Sequence, residues 1–375
     1  MDGWQWGGSE ELWSQAATRL RREGHDVQAS VAHWPIRSEK INALVQQGIE
    51  IEARGGQPRN IWRKLNPNFR RGFDRLKNFR PDLAVISQGY NAGGFDWARN
   101  CIDAGIPYVL IIQCNYENWW IPDESLHDAV TSYTNARKVY CVSRGNLNLL
   151  RFQLGEQLPN AEVVWNPYSV SPERAPLWPA QGDTWHLACV ARLEPTAKGQ
   201  DLLLRVMSRQ EWRERPVHLN FYGTGFYEKS LRRMAEMLQV KNVSFHGHVN
   251  DVEAIWAANH MLVLPSRYEG LPLALVEAMW CGRSSIVTDV GGNAELCVEG
   301  ETGFIASAAT EASVNDAMER AWERRDTWQN LGKAARARAD ELVPKNPIEL
   351  FCEKLKSCVV AVPGITPVGE VALSK

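Results

Sequence analysis

The chain has 375 residues, of which 44% are hydrophobic and 23% charged, with a formal net charge of -2 at pH 7. This length and apolar content are sufficient for two sizeable cores, which favours two domains. The near-neutral charge argues against a general nucleic-acid-binding protein, because no strong positive field would collect phosphates.

The cysteines and the hydropathy pattern further restrict which classes of protein the chain can belong to. No C-x2-C pair occurs and the cysteines lie mostly in apolar segments, so we expect reduced core thiols and no zinc. No targeting signal opens the chain and no apolar run approaches the length of a membrane span, so we expect a cytoplasmic protein. The eight cysteines are Cys101, Cys114, Cys141, Cys189, Cys281, Cys297, Cys352 and Cys358.

Strands alternate with helical segments along most of the chain. In the first half strands are predicted near 27–33, 83–87, 108–112 and 139–142, and the same rhythm recurs from 185 to 305. This alternation predicts two doubly wound parallel sheets. Four prolines in 166–184 indicate a linker. We therefore predict domains at 1–170 and 171–345, followed by a last helix and tail at 346–375.

The N-terminal segment begins with a glycine loop at Gly7 and Gly8. Apolar residues then recur at helical spacing, which predicts an amphipathic helix ahead of the first strand. Further along, the apolar strand at 108–112 is followed by Gln113. An amide side chain can donate and accept hydrogen bonds there but cannot carry a proton at neutral pH.

The second half carries two groups of charged residues directly after buried strands. The strand at 185–190 is followed by Arg192 and Lys198, and an amphipathic helix then follows at 200–207. The strand at 261–264 is followed by Glu269. Fixed cations at such positions can stabilise negative charge that develops on a phosphate.

The helix after Glu269 places a second carboxylate in apolar surroundings. Pro272 suits a first helical residue, the apolar run LALVEAMWC continues the helix, and Gly282 supplies its C-terminal stop. An unpaired carboxylate at Glu277 would be costly there, which favours a functional role. The N-terminus of this helix follows the carboxyl end of a parallel strand, where a diphosphate would find free N–H groups and a partial positive charge.

Glu269 and Glu277, separated by seven residues, resemble the E-x7-E signature of the retaining glycosyltransferases of family GT4. The resemblance implies that Glu269 meets hydroxyls of the transferred sugar and that Glu277 accepts hydrogen bonds from the ribose of the nucleotide. It also implies that Gly270, Leu271 and Leu273 lend backbone N–H groups to the donor.

Other segments match the same family. Arg192 and Lys198 are similar to its G-R-L-x4-K-G motif, with Ala191 in place of the first glycine, and would neutralise the diphosphate. The turn at Gly223 resembles the family's G-x-G turn, and the segment around Val249 its nucleobase wall. The full set of donor-binding candidates is Gly8, Arg192, Lys198, Gly223, Val249, Gly270, Leu271, Leu273 and Glu277.

Two departures from the family pattern stand in the first half. Family members have a strand ahead of the glycine loop, where this chain offers only MDGWQW. Either the true start lies upstream, or the sheet is built without that central strand. Many members also have a histidine where Gln113 stands, and we take Gln113 with Glu269 as the catalytic candidates.

The resemblance implies a GT-B fold, with two Rossmann-like domains facing across a cleft, and a retaining transfer from a UDP- or GDP-linked sugar to a hydroxyl acceptor. It implies no cofactor, and the absence of a D-x-D pair from the sequence predicts no metal. Two alternatives stay open: a non-catalytic sugar-nucleotide-binding scaffold of the same fold, and a nucleotide-sugar epimerase.

A basic segment runs from Arg54 to Arg80, with nine basic residues against the single acidic Asp74 and with aromatic residues interleaved. One interpretation is a solvated helix whose aromatic residues belong to the core. The other is a surface that contacts anionic membranes, as in several GT4 enzymes with lipid-linked acceptors, which would place the protein peripherally at the inner membrane surface.

Overall fold

The computed structural model describes residues 6–33, 38–54, 67–180 and 182–359, with only the backbone of 67–72. The elements of the first half are α1 (Gly8–Arg22), β1 (Gln28–Ala32), α2 (Glu39–Gln46), β2 (Glu50–Arg54), α3 (Pro67–Phe79), β3 (Ala84–Gln88), α4 (Phe95–Ala104), β4 (Tyr108–Ile112), α5 (Asp123–Thr134), β5 (Lys138–Cys141), α6 (Arg144–Leu154) and β6 (Ala161–Val163).

The second half begins after a stretch without helix or strand at 166–180. Its elements are β7 (Trp185–Val190), α7 (Pro195–Lys198), α8 (Gln200–Met207), α9 (Gln210–Glu214), β8 (Val217–Tyr222), α10 (Glu228–Met237), β9 (Val243–Phe245), α11 (Val252–Ala258), β10 (Met261–Leu264), α12 (Leu273–Trp280), β11 (Ser284–Thr288), α13 (Asn293–Leu296), β12 (Gly303–Ala306), α14 (Glu311–Glu323), a 3-10 turn (Arg325–Thr327), α15 (Trp328–Leu342) and α16 (Pro347–Ser357).

All strand pairs are parallel, as the alternation predicted. In the second half one six-stranded sheet has the order β12-β11-β10-β7-β8-β9. The order of the strands reverses between β7 and β10. In an open parallel sheet, ligands bind outside the carboxyl ends of the strands at such a switch point.

The strands of the first half form two sheets, β1-β2 and β3-β4-β5-β6. Within the described residues no strand pairs with both sheets. The prediction about a strand ahead of the glycine loop concerns residues 1–5, which lie outside the described part.

The helix α16 packs against the first half. Phe351 and Cys352 of α16 pack with Leu12 of α1 and with Val109 of β4 in one buried cluster. The 168–180 stretch is bound to the second half instead. Arg283 donates to the carbonyl of Leu177 at 2.7 Å, so the chain between the halves is held on one of them.

Residues 55–66 of the basic segment, including Arg59 and Trp62, lie outside the described residues. Its helical part, α3, begins at Pro67. Phe73 packs its ring 4.5 Å from that of Trp97 on α4, which agrees with the core interpretation of this aromatic residue. Among the helices in the described ranges, none has the length and apolarity required to cross a membrane.

Candidate functional site

The charged candidates of the second half meet at the switch point of the six-stranded sheet. Arg192 and Lys198 follow β7, and Glu269 follows the neighbouring strand β10. The fold therefore joins two motifs that are about 70 residues apart in the chain, because the carboxyl ends of adjacent parallel strands share one edge.

Lys198 and Glu269 form a buried ion pair at this edge. Lys198 Nζ lies 2.6 Å from Glu269 Oε1, and Ser266 Oγ donates to the same oxygen at 2.7 Å. No described residue donates a hydrogen bond to Oε2. Glu269 is 6% exposed, so an unpaired carboxylate would be strongly unfavourable and Lys198 fixes its charge and orientation.

The loop that carries Glu269 is anchored to the segment that carries Lys198. Arg267 binds Asp201 with two parallel hydrogen bonds of 2.7 and 2.8 Å, a strong and directional arrangement. Gly199 has a φ of +67°, and a Cβ there would collide with the carbonyl oxygen of Pro265. A glycine at 199 thus lets the two loops approach closely enough for the ion pair.

Glu277 lies on α12 and is 6% exposed. Its Oε1 accepts a hydrogen bond from the backbone N–H of Ser169 at 2.9 Å. Burial raises the pKa of Glu277 to about 7, although the bond from Ser169 opposes the shift. The helix begins at Leu273, one residue later than predicted, because Pro272 has an extended backbone and precedes the first turn.

The glycine loop of the first half faces the donor-side residues. A Cβ at Gly7 would lie 3.8 Å from Arg192 Nη1, and one at Gly8 would lie 3.5 Å from Leu273 Cδ1. Arg192 itself pairs with Glu194 at 3.0 Å. Gly8 therefore lies opposite the start of the helix at Leu273.

The two halves touch directly beside Glu269. A Cβ at Gly270 would collide with the carbonyl oxygen of Gln113, so glycine is required for this approach. We call this contact between the halves the seam. Asn146 Nδ2 donates across the seam to the carbonyls of Glu269 at 3.2 Å and Gly270 at 3.1 Å. Glu295 accepts from the N–H of Gly145 at 2.7 Å, in the first turn of α6.

Gln113 lies in this seam and is 5% exposed. Its Oε1 accepts a hydrogen bond from Asn166 Nδ2 at 2.8 Å, while its Nε2 has no hydrogen-bond partner among the described residues. The neighbouring Cys114 is close enough to Glu269 to interact with its charge; burial mainly, and that carboxylate secondarily, raise the pKa of Cys114 to about 12. Gln113 therefore holds a buried, unpaired donor in the contact between the halves, next in the chain to a residue that lies near Glu269.

Three other donor-binding candidates from the sequence, Gly223, Leu271 and Val249, have roles in packing. A Cβ at Gly223 would collide with the carbonyl oxygen of Ala191, so close packing of two strand ends requires this glycine. Leu271 is buried in the core, and Val249 packs at the edge of the same apolar cluster. These three residues make no bond to the ion pair.

Sequence reasoning missed Ser266, Asn146 and Glu295. Ser266 is three residues before Glu269, and its spacing alone gave no signal. Asn146 is three residues after Ser143, whose hydroxyl accepts from the Asn146 N–H at 3.2 Å. That capping pattern marks a helix start, but the contact partners of Asn146 and Glu295 belong to the other half of the chain.

Comparison with known proteins shows which family the second half resembles. Residues 175–338 match the family model described as glycosyl transferases group 1. A trehalose synthase of Thermococcus litoralis is 33% identical over 142 residues, 36% of this chain and 33% of that protein. A D-rhamnosyltransferase of Pseudomonas aeruginosa is 29% identical over 150 residues, 39% of this chain and 38% of that protein. The matched segments thus span only about a third of these relatives.

Solved structures match over nearly the whole chain. Anabaena HepE, in complex with UDP and glucose, has a TM-score of 0.74 at 20% identity and covers 94% of this chain and 96% of its own. The lipopolysaccharide outer core galactosyltransferase WaaB has a TM-score of 0.68 at 16% identity and covers 94% and 96%. The expected GT-B fold, with two parallel-sheet domains facing across a cleft, is confirmed.

Proposed function

We propose, on the premise that residues 175–338 belong to the glycosyl transferases group 1 family, that this protein transfers a sugar from a nucleoside diphosphate sugar to a hydroxyl acceptor with retention of configuration. The observation that carries the proposal is the buried Lys198–Glu269 pair at the switch point, beside the N-terminus of α12. A helix N-terminus and fixed cations suit a diphosphate, and a fixed carboxylate suits sugar hydroxyls.

In the proposed reaction the oxygen of the acceptor hydroxyl forms a bond to the anomeric carbon of the donor sugar. The bond between that carbon and the phosphate oxygen breaks, and its electron pair leaves with the nucleoside diphosphate. The acceptor's proton goes to the departing phosphate oxygen on the same face of the sugar. This path preserves the anomeric configuration and requires no separate protein base.

Arg192 and Lys198 are assigned to the charge that develops on the departing diphosphate. Both follow β7, and Gly7 lies opposite Arg192 across the cleft. Preorganised cations stabilise such charge more effectively than water does, because they need no reorganisation during the reaction. We assign this role to the two side chains and propose neither a metal nor a cofactor for the transfer.

Glu269, Gln113 and Glu277 are assigned to the sugar and the ribose. Oε2 of Glu269 receives no hydrogen bond from a described residue and is proposed to accept one from a sugar hydroxyl. Gln113 Nε2 lacks a partner among the described residues and would donate to the same sugar. Glu277, with Ser169 on one oxygen, would accept from the ribose, while first-turn N–H groups near Leu273 meet the phosphates.

The test is incubation with UDP-glucose, UDP-N-acetylglucosamine and GDP-mannose, with release of nucleoside diphosphate as the readout. Slow release from at least one donor is expected in the wild type. Glu269→Gln should lower release by about 100-fold, since loss of a charge-assisted hydrogen bond in a desolvated site costs about 1.5–3 kcal/mol. Affinity for the free nucleoside diphosphate, measured by calorimetry, should stay within a few-fold.

Glu301→Gln is the matched control, because Glu301 is an exposed glutamate on the same half and contacts none of the site residues described above. It should release nucleoside diphosphate at the wild-type rate. Donor binding without release by the wild type would favour a non-catalytic scaffold. Wild-type release by Glu269→Gln would contradict the assignment of Glu269.

A further inference from the structure

Four aromatic side chains form a row that starts next to Glu269, and we call them the aromatic rim: Tyr90, Tyr116, Trp119 and Tyr268. The ring of Tyr116 lies 4.7 Å from that of Tyr268 and 6.3 Å from that of Trp119. Tyr90 meets Trp119 edge-on at 4.7 Å. The rings thus form one continuous row that crosses from the first half to the second.

The rim reaches the proposed site of sugar transfer and also faces solvent. Tyr268 directly precedes Glu269 in the chain, and the nearby charges of Glu194 and Arg192 act on its hydroxyl. Trp119 is 44% exposed, and Tyr90 and Tyr116 are half-buried. Large aromatic faces that stay accessible beside a reaction site are typical of ligand contact.

The loop that carries Tyr116 and Trp119 is held in place by buried amides. Gln153 Nε2 donates to the carbonyls of Tyr116 at 2.9 Å and Trp119 at 3.2 Å. Asn91 Nδ2 donates to Gln153 Oε1 at 2.7 Å. The aromatic rings are therefore presented by a fixed backbone, which lowers the entropy lost on binding.

Two of the buried amides beside the rim have atoms without hydrogen-bond partners among the described residues. Asn91, next to Tyr90, is fully buried and its Oδ1 is unpaired. Asn115, next to Tyr116, is 3% exposed; its Oδ1 accepts from the Tyr116 N–H at 2.8 Å, while its Nδ2 is unpaired. Leaving buried amide groups unpaired is unfavourable. Both unpaired atoms are themselves shielded from solvent, so the accessible part of the rim consists of the rings and their hydroxyl groups.

We propose that the aromatic rim is the acceptor site and that the acceptor is a saccharide. The inference rests on the proposed function and names its second substrate class. A pyranose ring offers an apolar C–H face to an aromatic ring, and its hydroxyls can both donate to and accept from the tyrosine hydroxyls of the rim. A hydrocarbon chain would contact the rings but offer no hydrogen bond to those hydroxyls.

The experiment measures nucleoside diphosphate release with and without a panel of p-nitrophenyl glycosides, using the donor that the wild type hydrolyses. At least one glycoside should accelerate release by 10-fold or more, and hexanol should not. Trp119→Ala should raise the KM for that glycoside at least 10-fold and leave acceptor-free release within two-fold. Trp119→Phe should recover most of the loss, because a flat ring is retained.

Phe152→Ala is the matched control, since Phe152 is an aromatic residue of the first half that is 77% exposed and outside the rim. It should match the wild type. Saturation-transfer NMR of the same glycosides with the UDP-loaded protein gives a readout that is independent of catalysis. If the NMR experiment shows glycoside binding that requires Trp119, but no nucleoside diphosphate is released, the proposed reaction is refuted and the saccharide site is supported.

Three results would overturn the acceptor site. The first is the failure of every glycoside in both the release and the NMR experiments. The second is an unchanged KM for the glycoside in Trp119→Ala. The third is a loss of acceptor-free release in that variant as large as the loss with the glycoside, which would show a structural role for Trp119. Sedimentation with phosphatidylglycerol vesicles that is lost in Trp119→Ala, without glycoside binding, would assign the rim to a membrane instead.

Discussion

The two halves of the molecule build their parts of the cleft in different ways. The second half has one six-stranded sheet, and its strands β10 and β11 are buried along their whole length. Among the described residues of the first half the strands form two sheets, and only β4 of these strands is buried throughout. The donor side is therefore a rigid edge of one sheet, whereas the acceptor side is assembled from loops.

The difference extends to the residues that define each site. On the donor side, Glu269 to Leu273 supply a carboxylate, backbone N–H groups and a helix start within five consecutive positions. On the acceptor side, the aromatic rim draws Tyr90 and Trp119 from loops after different strands and Tyr268 from the other half. Charge recognition is thus encoded in short motifs, while acceptor recognition depends on the arrangement of distant loops.

The largest expected effect tests the rigidity of the donor side. Lys198→Met leaves the buried Glu269 carboxylate without its partner and should destabilise the second half by about 3–5 kcal/mol. Hydrogen exchange should show lost protection in β10 and unchanged protection in β4. Lys345→Met is the control, because its pair with Asp340 is exposed on both sides and should contribute less than about 1 kcal/mol. Equal losses in both halves would show that they unfold as one unit.

The second effect concerns the pH dependence of the donor side. Burial raises the pKa of Glu277 from 4.5 to about 7, so the unfolded chain releases this proton at lower pH than the folded protein does. The corresponding stability is complete below about pH 4.5 and is lost as the pH rises through about 7. Glu277→Gln should remove this decline, which amounts to up to about 3 kcal/mol.

Urea unfolding of the wild type and of Glu277→Gln at pH 5 and pH 8 measures how much the free energy of unfolding declines with pH in each protein. The Glu301→Gln variant, altered at an exposed position, should keep the wild-type dependence. Parallel curves for wild type and Glu277→Gln would mean that Glu277 is already ionised at neutral pH. In that event the donor side would owe its pH dependence to other groups.

The third effect tests the seam between the halves. In Gly270→Ala the new Cβ must displace the carbonyl of Gln113, and overpacking of this kind costs about 1–3 kcal/mol. A shift of about 1 Å at a reaction site can lower the rate by about 100-fold. We therefore expect Gly270→Ala to lose about 100-fold in transfer rate and to have a more open shape in small-angle scattering. Gly182→Ala is the control, since nothing lies within 4 Å of a Cβ there. An unchanged rate in Gly270→Ala would contradict the close contact between Gly270 and the carbonyl of Gln113.

The smallest effect concerns the cap that Glu295 supplies to α6. Its carboxylate accepts from the Gly145 N–H, and loss of a capping acceptor typically costs about 1 kcal/mol. Glu295→Ala should therefore weaken docking of the halves only slightly, with faster amide exchange at 144–147 and an almost unchanged transfer rate. A loss as large as that of Gly270→Ala would show that the cap, and not close packing, holds the seam.

Much of the fold could be predicted because each strand and helix has its own pattern. The strand Tyr108–Ile112 and the helix Gln200–Met207 were predicted at their observed bounds. The core thiols were also predicted, and all eight cysteines are free, with Cys114 alone half-buried. The pairing of β1 with β2 and the order β3-β4-β5-β6 among the described residues could not be predicted, because pairing depends on contacts between distant strands.

The sequence by itself determined the parallel α/β architecture, the grouping of Glu269 with Glu277, and the cations Arg192 and Lys198. These features follow from local hydrophobic patterns and short spacings. Only the tertiary structure decided that Lys198 binds Glu269, that Asn146 and Glu295 hold the seam, and that Tyr116 and Tyr268 meet across the cleft. The physical reason is that hydrogen bonds and ring contacts act over a few ångströms, and the fold brings these residues within that range although they lie far apart in the chain.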